Sequence, residues 1–158
     1  MDYTFTVMTQ EQAEWIAYSW HYDGEYSFYD MEADPDDLEE FLNAETRGDS
    51  VFAVTYEEKL AAFLTVELTG SQTADIGLGM EPGLTGQGKG MDFLQAVIEF
   101  VTFEYEVERM TLSVAAFNVR AIKVYRKAGF KDAGTFLQET NGRTYEFLKM
   151  ELAVRTHM

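Results

Sequence analysis

The sequence contains no cysteine, little histidine and no long apolar run. The absence of cysteine excludes a disulfide scaffold, a cysteine-ligated zinc or iron–sulfur centre, and a thiol nucleophile. His21 and His157 are the only histidines, so few residues are available for a histidine metal site or a Ser-His-Asp triad. We therefore expect no metal. No stretch approaches the ~20 apolar residues of a membrane span, and the first residues do not resemble a signal peptide. We therefore expect a cytoplasmic protein with no membrane partner.

Basic residues are also scarce, above all in the first third of the chain. There are 12 Lys and Arg against 28 Asp and Glu, a formal net charge of −16. Arg47 is the only base in residues 1–50. A nucleic-acid backbone or an anionic membrane surface needs Lys and Arg, so the charge argues against both partners. The acidic third either attracts a cation or keeps the surface solvated, and both interpretations stay open.

The pattern of apolar residues predicts an α/β protein with a single domain over residues 1–158. About seven strands and four helices follow one another in the order βααβββαβαββ, which is typical of a mixed sheet with helices packed on it. Residues 20–34 show no clear period and are predicted to be a loop. One helix is predicted from Asp34 to near Gly48, because Pro and acids at its start favour a helix N-terminus.

Glycines mark two further features of the predicted sheet. Asn141-Gly142 is the strongest short signal for a hairpin turn between two strands. Gly77 and Gly79 interrupt a short strand, which predicts either a bulge or the close approach of another molecule to the backbone.

A glycine-rich segment joins a strand to a helix between Leu78 and Met91. Backbone N–H groups at a helix N-terminus are unsatisfied and carry partial positive charge, and glycines let a phosphate approach them. The segment therefore predicts a pyrophosphate site that needs few basic residues, with a flexible turn as the alternative. A nucleotide P-loop would need Ser or Thr at Gly90, and a dinucleotide fingerprint would need Gly at Met91. A nucleotide-binding protein stays an alternative that lacks these residues.

Asn118 and Tyr125 form the second candidate site. They are two helical turns apart, so both side chains are predicted to lie on one face of a helix that ends at Gly129. The Tyr125 phenol can donate a proton to a departing anion. The alternative is that Asn118 is only a helix cap and Tyr125 only a core aromatic.

Together these segments resemble the GNAT-type N-acetyltransferase superfamily. Its first motif is a strand, then Gln/Arg-x-x-Gly-x-Gly/Ala and a helix, and here it reads Thr85-Gly86-Gln87-Gly88-Lys89-Gly90. Its second motif is a strand, an Asn, and a helix with a Tyr that ends in Gly-Phe, here Asn118 to Phe130. The resemblance covers roughly residues 51–150, and Thr85 replaces the usual Gln or Arg. It implies a mostly antiparallel sheet and an acetyl-CoA-binding core in that region.

The resemblance implies acetyl-CoA as the cofactor and a role for each matching segment. The backbone of Leu78, Gly79 and Met80 would pair with the pantetheine arm like an added strand and polarise the acetyl carbonyl. Asn118 would contact the pantetheine arm, and Tyr125 would be the general acid that protonates the leaving thiolate. The remaining cofactor-binding residues belong to the glycine loop, whose amides would hold the pyrophosphate: Thr85, Gly86, Gln87, Gly88, Lys89, Gly90 and Met91. Five nearby bases either meet the 3′-phosphate or form a solvated helix face: Lys89, Arg120, Lys123, Arg126 and Lys127.

An amine has to lose a proton before it attacks a thioester. By the resemblance, the general base is a carboxylate acting through water, and the candidates are Glu67, Asp75 and Glu81. Each is otherwise a plain surface acid, and the proton could also leave to bulk water. Because no cysteine can carry an acetyl group, direct transfer in a ternary complex is expected.

The acceptor is expected to lie against residues 1–50, the part that varies with substrate among resembling enzymes. Aromatic faces and carboxylates together attract an ammonium group. This favours a cationic primary amine: a polyamine, an amino sugar, or a protein N-terminus or lysine. The candidates for binding it, which could instead be core or lid packing, are Tyr22, Glu25, Tyr26, Tyr29 and Glu32. A non-catalytic acyl-CoA-binding or sensor module is the alternative function, and a homodimer is an open option because dimers are common among similar proteins.

Overall fold

The computed structural model describes residues 3–22, 24–30, 33–84 and 89–154, apart from the side chain of Glu25. Within them lie seven strands: β1 (Tyr3–Val7), β2 (Val51–Tyr56), β3 (Lys59–Gly70), β4 (Thr73–Met80), β5 (Arg109–Ala115), β6 (Lys131–Thr140) and β7 (Arg143–Ala153). They form one sheet in the order β1-β2-β3-β4-β5-β7-β6, in which β4 and β5 are parallel and the other neighbours antiparallel. The predicted mixed, mostly antiparallel sheet is confirmed.

The same residues contain five α-helices: α1 (Gln10–Ser19), α2 (Pro35–Leu42), α3 (Ala44–Arg47), α4 (Gly90–Tyr105) and α5 (Val119–Lys127). The prediction of one helix from Asp34 to near Gly48 is wrong, because that helix breaks at Asn43. The Asn43 side chain accepts hydrogen bonds from the N–H groups of Glu45 and Thr46, and this local bonding starts a new helix instead of continuing the old one. None of these helices is both long and apolar enough to cross a membrane.

The helices cover opposite faces of the sheet. Along β2, Phe52 and Val54 belong to one apolar core, whereas Val51 and Ala53 belong to another. Successive side chains of a strand point to alternate faces, so the two cores lie on either side of the sheet. Residues of α4 and α5 complete the first core, and residues of α1 and α2 complete the second. A ligand therefore has to enter at an edge or through a gap in the sheet.

Such a gap lies between β4 and β5. Their parallel ladder consists of three residue pairs, of which Asp75 and Thr111 are the last. Beyond this pair β4 continues to Met80 and β5 to Ala115, but the two strands no longer pair with each other. Among the described residues, backbone groups on the facing edges of the two strands thereby lack a partner strand in the middle of the sheet.

Gly77 and Gly79 make room for side chains of the neighbouring strand. The predicted bulge at these glycines is wrong, because the pairing of β3 with β4 passes both of them unbroken and is irregular only near Gly70. A Cβ atom at Gly77 would overlap the Thr65 side chain, and one at Gly79 would overlap the Phe63 ring. The close approach that requires glycine here is therefore made by β3 of this chain.

Asn141 and Gly142 form the predicted two-residue turn between β6 and β7. Both residues have positive φ, +52° and +77°, and the flanking Thr140 and Arg143 pair with each other. This is the conformation of a type I′ turn, in which Asn and Gly are favoured because they tolerate left-handed backbone.

Candidate active site

A cavity of about 1170 Å³ occupies the gap between β4 and β5. Its volume is slightly above the ~300–1,000 Å³ of typical small-ligand pockets. On the α4 and α5 face, a helix wall is formed by Gly90, Met91, Asn118 and Tyr125. On the opposite face, an acidic wall is formed by Asp37, Glu40, Glu67 and Asp75. The cavity thus passes through the sheet and presents two chemically different ends.

The backbone of Leu78, Gly79 and Met80 lies along the cavity, on the part of β4 that does not pair with β5. An unpaired strand edge can accept an extended ligand as an additional strand. Tyr22 supports this segment, because its hydroxyl donates a 2.6 Å hydrogen bond to the Met80 carbonyl. Burial, and the nearby charges of Asp30 and Glu81, raise the pKa of Tyr22 well above its ordinary value, so this donor keeps its proton.

Helix α4 begins at the cavity without a side-chain cap. Its N-cap residue, Lys89, makes no capping hydrogen bond, whereas each of the other four described helices is capped by the side chain of its N-cap residue: Thr9, Asp34, Asn43 and Asn118. Gly90 and Met91, the first residues of α4, line the cavity. The N–H groups at the positive end of this 16-residue helix are suited to an anion.

The predicted loop site, Thr85 to Met91, is described only from Lys89 onward. Thr85, Gly86, Gln87 and Gly88 lie outside the described residues. Lys89 is described, and its ammonium group lies 5.5 Å from the centre of the Tyr56 ring. It is not among the residues that line the cavity.

Asn118 uses both ends of its amide. Its Oδ1 accepts a 3.2 Å hydrogen bond from the N–H of Ala121, which caps α5. Its Nδ2 donates a 3.0 Å hydrogen bond to the Tyr29 hydroxyl, a contact across 89 residues that the sequence pattern does not reveal. Asn118 therefore starts α5 and also fixes Tyr29 at the cavity.

Tyr125 lies seven residues further on, on the same cavity-lining side of α5. The Tyr125 ring packs edge-to-face against the Phe130 ring, with a distance of 5.9 Å between the ring centroids. Its hydroxyl has no hydrogen-bond partner in the part of the chain that the structure describes, so it can donate to a ligand. Burial, and to a smaller extent the neighbouring Tyr29, raise the pKa of Tyr125 well above its ordinary value. The phenol is therefore protonated at neutral pH.

The predicted acceptor tyrosines all line the cavity, and two belong to a 3₁₀ turn, Gly24–Tyr29, where the sequence predicts a loop. The hydroxyls of Tyr22 and Tyr29 are engaged within the chain, as described above. The Tyr26 ring carries the Arg120 guanidinium at 4.4 Å from its centre, so this face already holds a cation of the protein. Glu32 and the side chain of Glu25 lie outside the described residues.

Asp37 and Glu40 were not singled out by the sequence pattern, in which they serve only as acids near a helix start. They are three residues apart on α2, a spacing that places them on one face, and both line the cavity. Burial and the neighbouring charges of Asp34, Glu40 and Asp36 raise the pKa of Asp37 above its ordinary value. A cation at this wall would relieve the repulsion.

The three candidate bases have different positions. Glu67 and Asp75 lie directly opposite each other on β3 and β4, and both line the cavity. Asp75 accepts a 2.7 Å hydrogen bond from the buried Thr111 hydroxyl. The Glu81 carboxylate instead turns back to accept from the Gly83 N–H at 3.0 Å, and Glu81 is not among the lining residues.

Two of the bases near the motifs, Arg120 and Lys127, also line the cavity. Arg126 instead pairs through two hydrogen bonds, of 3.1 and 2.7 Å, with Asp132. Both partners of that pair are largely exposed, so the pair contributes little stability. No cluster of three acidic or histidine side chains in the described ranges is placed to hold a metal ion.

Arg47, the only base of the first fifty residues, is 5% exposed and also lines the cavity. It donates to the Phe41 carbonyl at 2.6 Å and to Gln10 Oε1 at 2.8 Å. These bonds join α1 to α2, and they support the helix that carries Asp37 and Glu40.

Residues 14–130 match the family model described as the acetyltransferase (GNAT) family. The match covers well over half of the 158 residues. The chain therefore belongs to the GNAT family of acetyltransferases, as its two motifs predict, and is an enzyme of that class.

Solved structures with the same fold agree with this assignment. A proposed phosphinothricin N-acetyltransferase has a TM-score of 0.73 at 16% identity, over 98% of this chain and 99% of that one. Mutant forms of the spermidine/spermine N-acetyltransferase SpeG from Vibrio cholerae give 0.72 at 18% identity, over 96% and 95%. A GNAT-family acetyltransferase from Bacillus anthracis gives 0.72 at 15% identity, over 97% and 95%. At these identities the likeness shows the fold.

Proposed function

We propose that the protein is an acetyl-CoA-dependent N-acetyltransferase that transfers the acetyl group directly to a cationic primary amine. The observation that carries the proposal is the cavity through the sheet, with Tyr125 at one end and the acidic wall at the other. In this proposal, residues 51–150 form the acetyl-CoA-binding core of a single domain, and residues 1–50 contribute to the acceptor side.

The residues of the helix wall fit acetyl-CoA. When bound, acetyl-CoA supplies an activated thioester carbonyl for attack by the amine. The unpaired backbone of Leu78 to Met80 would hold the pantetheine arm as an added strand and would polarise the carbonyl with an N–H group. The uncapped start of α4 would hold the pyrophosphate. Arg120 and Lys127 are the cavity bases available to a further phosphate.

Tyr125 would donate its proton toward the sulfur as the thiolate leaves. A phenol with a raised pKa holds its proton more tightly than an ordinary thiol does, so transfer would be uphill in water. In the cavity the thiolate also loses hydration, which raises the pKa of the conjugate thiol and reduces the difference between the pKa values of the thiol and the phenol. The phenol stabilises the leaving group by its hydrogen bond from the outset.

The acidic wall would hold the ammonium form of the acceptor and orient it toward the carbonyl. Four carboxylates face the cavity from this side, and Asp37 already experiences repulsion from its neighbours. The spermidine N-acetyltransferases among the structural neighbours support a polyamine as the acceptor. A cytoplasmic location and a homodimer stay predictions.

The function is tested by incubating the protein with acetyl-CoA and a panel of amines while following free thiol. The panel contains spermidine, an amino sugar, a lysine peptide and an uncharged aromatic amine of similar size. We expect thiol release that depends on both substrates, with the highest kcat/KM for a cationic amine. Tight binding of CoA without thiol release for any amine would instead favour a non-catalytic sensor.

We predict that Asp75→Asn lowers kcat/KM for the amine about a hundredfold, the range of a lost general base. Asp75 lies where the gap between β4 and β5 begins, lines the cavity, and accepts a hydrogen bond from Thr111. Glu81→Gln is the matched control, since its side chain lies outside the cavity and an amide oxygen can still accept from Gly83. Equal rates for the two variants would contradict a base at Asp75 and would leave Glu67 or bulk water to take the proton.

A further inference from the structure

One carboxylate, that of Asp34, joins two segments that lie more than 100 residues apart. Its Oδ1 accepts from the N–H groups of Asp36 and Asp37 at 2.9 and 3.3 Å, which caps α2. Its Oδ2 accepts from the Thr140 hydroxyl at 3.0 Å and from the Asn141 N–H at 2.9 Å. The first pair of bonds is local, whereas the second reaches the turn between β6 and β7.

The burial of the hairpin shows that this contact is specific to its tip. Residues 131–139 of β6 are all exposed, whereas Thr140 and Asn141 are partly buried. Strand β6 lies at the edge of the sheet and, among the described strands, pairs only with β7. The hydrogen bonds to Asp34 attach the tip directly to the first third of the chain.

A third bond extends the contact toward the cavity. Asn141 Nδ2 donates to the Phe28 carbonyl at 3.0 Å, and the Phe28 ring packs on Tyr145 of β7 at 4.6 Å. Phe28 also meets Tyr29 at 5.1 Å. The turn is therefore tied both to α2 and to the segment that precedes it.

Residues on both sides of this contact line the cavity. Asp37 lies on the α2 side, Thr140 lies on the hairpin side, and Tyr29 follows Phe28. The Asp34 carboxylate therefore sets the distance between Asp37 in the acidic wall and Thr140 of the hairpin, which would both face the acceptor. The N–H of Asn141, followed by the N–H of Asp37 and the Thr140 hydroxyl, lowers the pKa of Asp34, so the group is ionised at neutral pH.

We propose that Asp34 is a positioning residue for the amine acceptor, because it fastens the β6–β7 turn to the start of α2 and so holds the acceptor side of the cavity closed. This inference rests on the proposed N-acetyltransferase function. Asp34 itself does not line the cavity, and it acts through Asp37 and Thr140. Without the hydrogen bonds from Thr140 and Asn141 to Asp34, the hairpin turn separates from α2 and the ammonium group of the acceptor is bound less tightly. The helix wall, with Tyr125, is not part of the contact.

Asp34→Ser separates the fastening from the helix cap. Ser is about as good an N-cap as Asp, so α2 keeps its start, but its side chain is too short to reach Thr140 and Asn141. We expect KM for the best amine of the panel to rise about tenfold, as for lost hydrogen bonds to a charged group. The kcat at saturating amine and the KM for acetyl-CoA should change less than twofold. A purely structural role would move all three constants together.

Three further variants make the test specific. Asn43→Ser makes the same type of change at the cap of α3, away from the hairpin, and should leave the amine KM unchanged. Thr140→Val removes one donor to Asp34, and Asn141→Gly keeps the turn but removes the bond to Phe28. Each should raise the amine KM, and Thr140→Val should add little in the Asp34→Ser background, because both act through one contact.

The outcomes separate the two proposals. An active wild type whose amine KM is the same in Asp34→Ser overturns the positioning role of Asp34 and leaves the function intact. A wild type that acetylates no amine overturns both proposals. Additive effects of Thr140→Val and Asp34→Ser also overturn the inference, since they would place the two residues in separate contacts.

Discussion

The variant Tyr125→Phe is expected to lose about a hundredfold in kcat while its affinity for CoA stays nearly unchanged. The Tyr125 hydroxyl has no hydrogen-bond partner among the described residues, and Phe retains the ring that packs against Phe130. Removing a group that donates a proton in the transition state lowers the rate of the chemical step by a factor of about 10²–10⁴. Stopped-time thiol release and calorimetric titration with CoA measure the two quantities separately.

The pKa of Tyr125 adds a second expectation to this variant. A general acid works only while it is protonated, and burial raises the pKa of this phenol above its ordinary value of 10.0. The wild-type rate should therefore show no decline assignable to Tyr125 as the pH rises to 10. A Tyr125→Phe enzyme that acetylates as fast as the wild type would contradict the assigned role.

Gly79→Ala is expected to destabilise the protein by about 2 kcal/mol and to lower its activity. The new methyl group would overlap the Phe63 ring, which packs on the buried rings of Phe41 and Trp20. Inserting a methyl group into a filled core costs about 1–3 kcal/mol. For a chain of this length a loss of 2 kcal/mol lowers Tm by about 4–8 °C, which calorimetry can measure. Because Gly79 also lines the cavity, the backbone movement that relieves the overlap with Phe63 also disturbs the edge of β4, and activity falls.

Two controls show whether overlap with Phe63 is the cause. At Gly70, on the neighbouring strand, an added Cβ meets nothing within 4 Å, so Gly70→Ala should leave Tm within about 1 °C of the wild type. Combining Gly79→Ala with Phe63→Leu should cost less than the sum of the single changes, because the smaller side chain makes room. Additive costs would contradict the steric explanation.

Much of the fold follows from local signals that agree with one another. Asn141-Gly142 specifies its turn because only residues tolerant of left-handed backbone fit there. Asp34 with Pro35 specifies the start of α2, and the two-turn spacing of Asn118 and Tyr125 places both on one side of α5. In each case the information lies within a few residues, where sequence patterns are strongest.

The parts that the sequence did not predict depend on contacts between distant segments. The pairing of β3 with β4 brings Phe63 against Gly79, so the glycine serves a neighbour rather than a bulge. Arg120 lies on the ring of Tyr26, a contact between residues almost a hundred positions apart. Glu81 carries the same chemical group as Asp75, and only the chain geometry shows that it lies outside the cavity.

If the gap between β4 and β5 holds the acetyl donor, a crystal structure with bound CoA will show CoA in that gap. We expect the pantetheine arm along the backbone of Leu78 to Met80, the sulfur within hydrogen-bond reach of the Tyr125 hydroxyl, and the pyrophosphate at the start of α4. CoA bound elsewhere on the protein, or a gap that stays empty at saturating CoA, would contradict this assignment of the donor site.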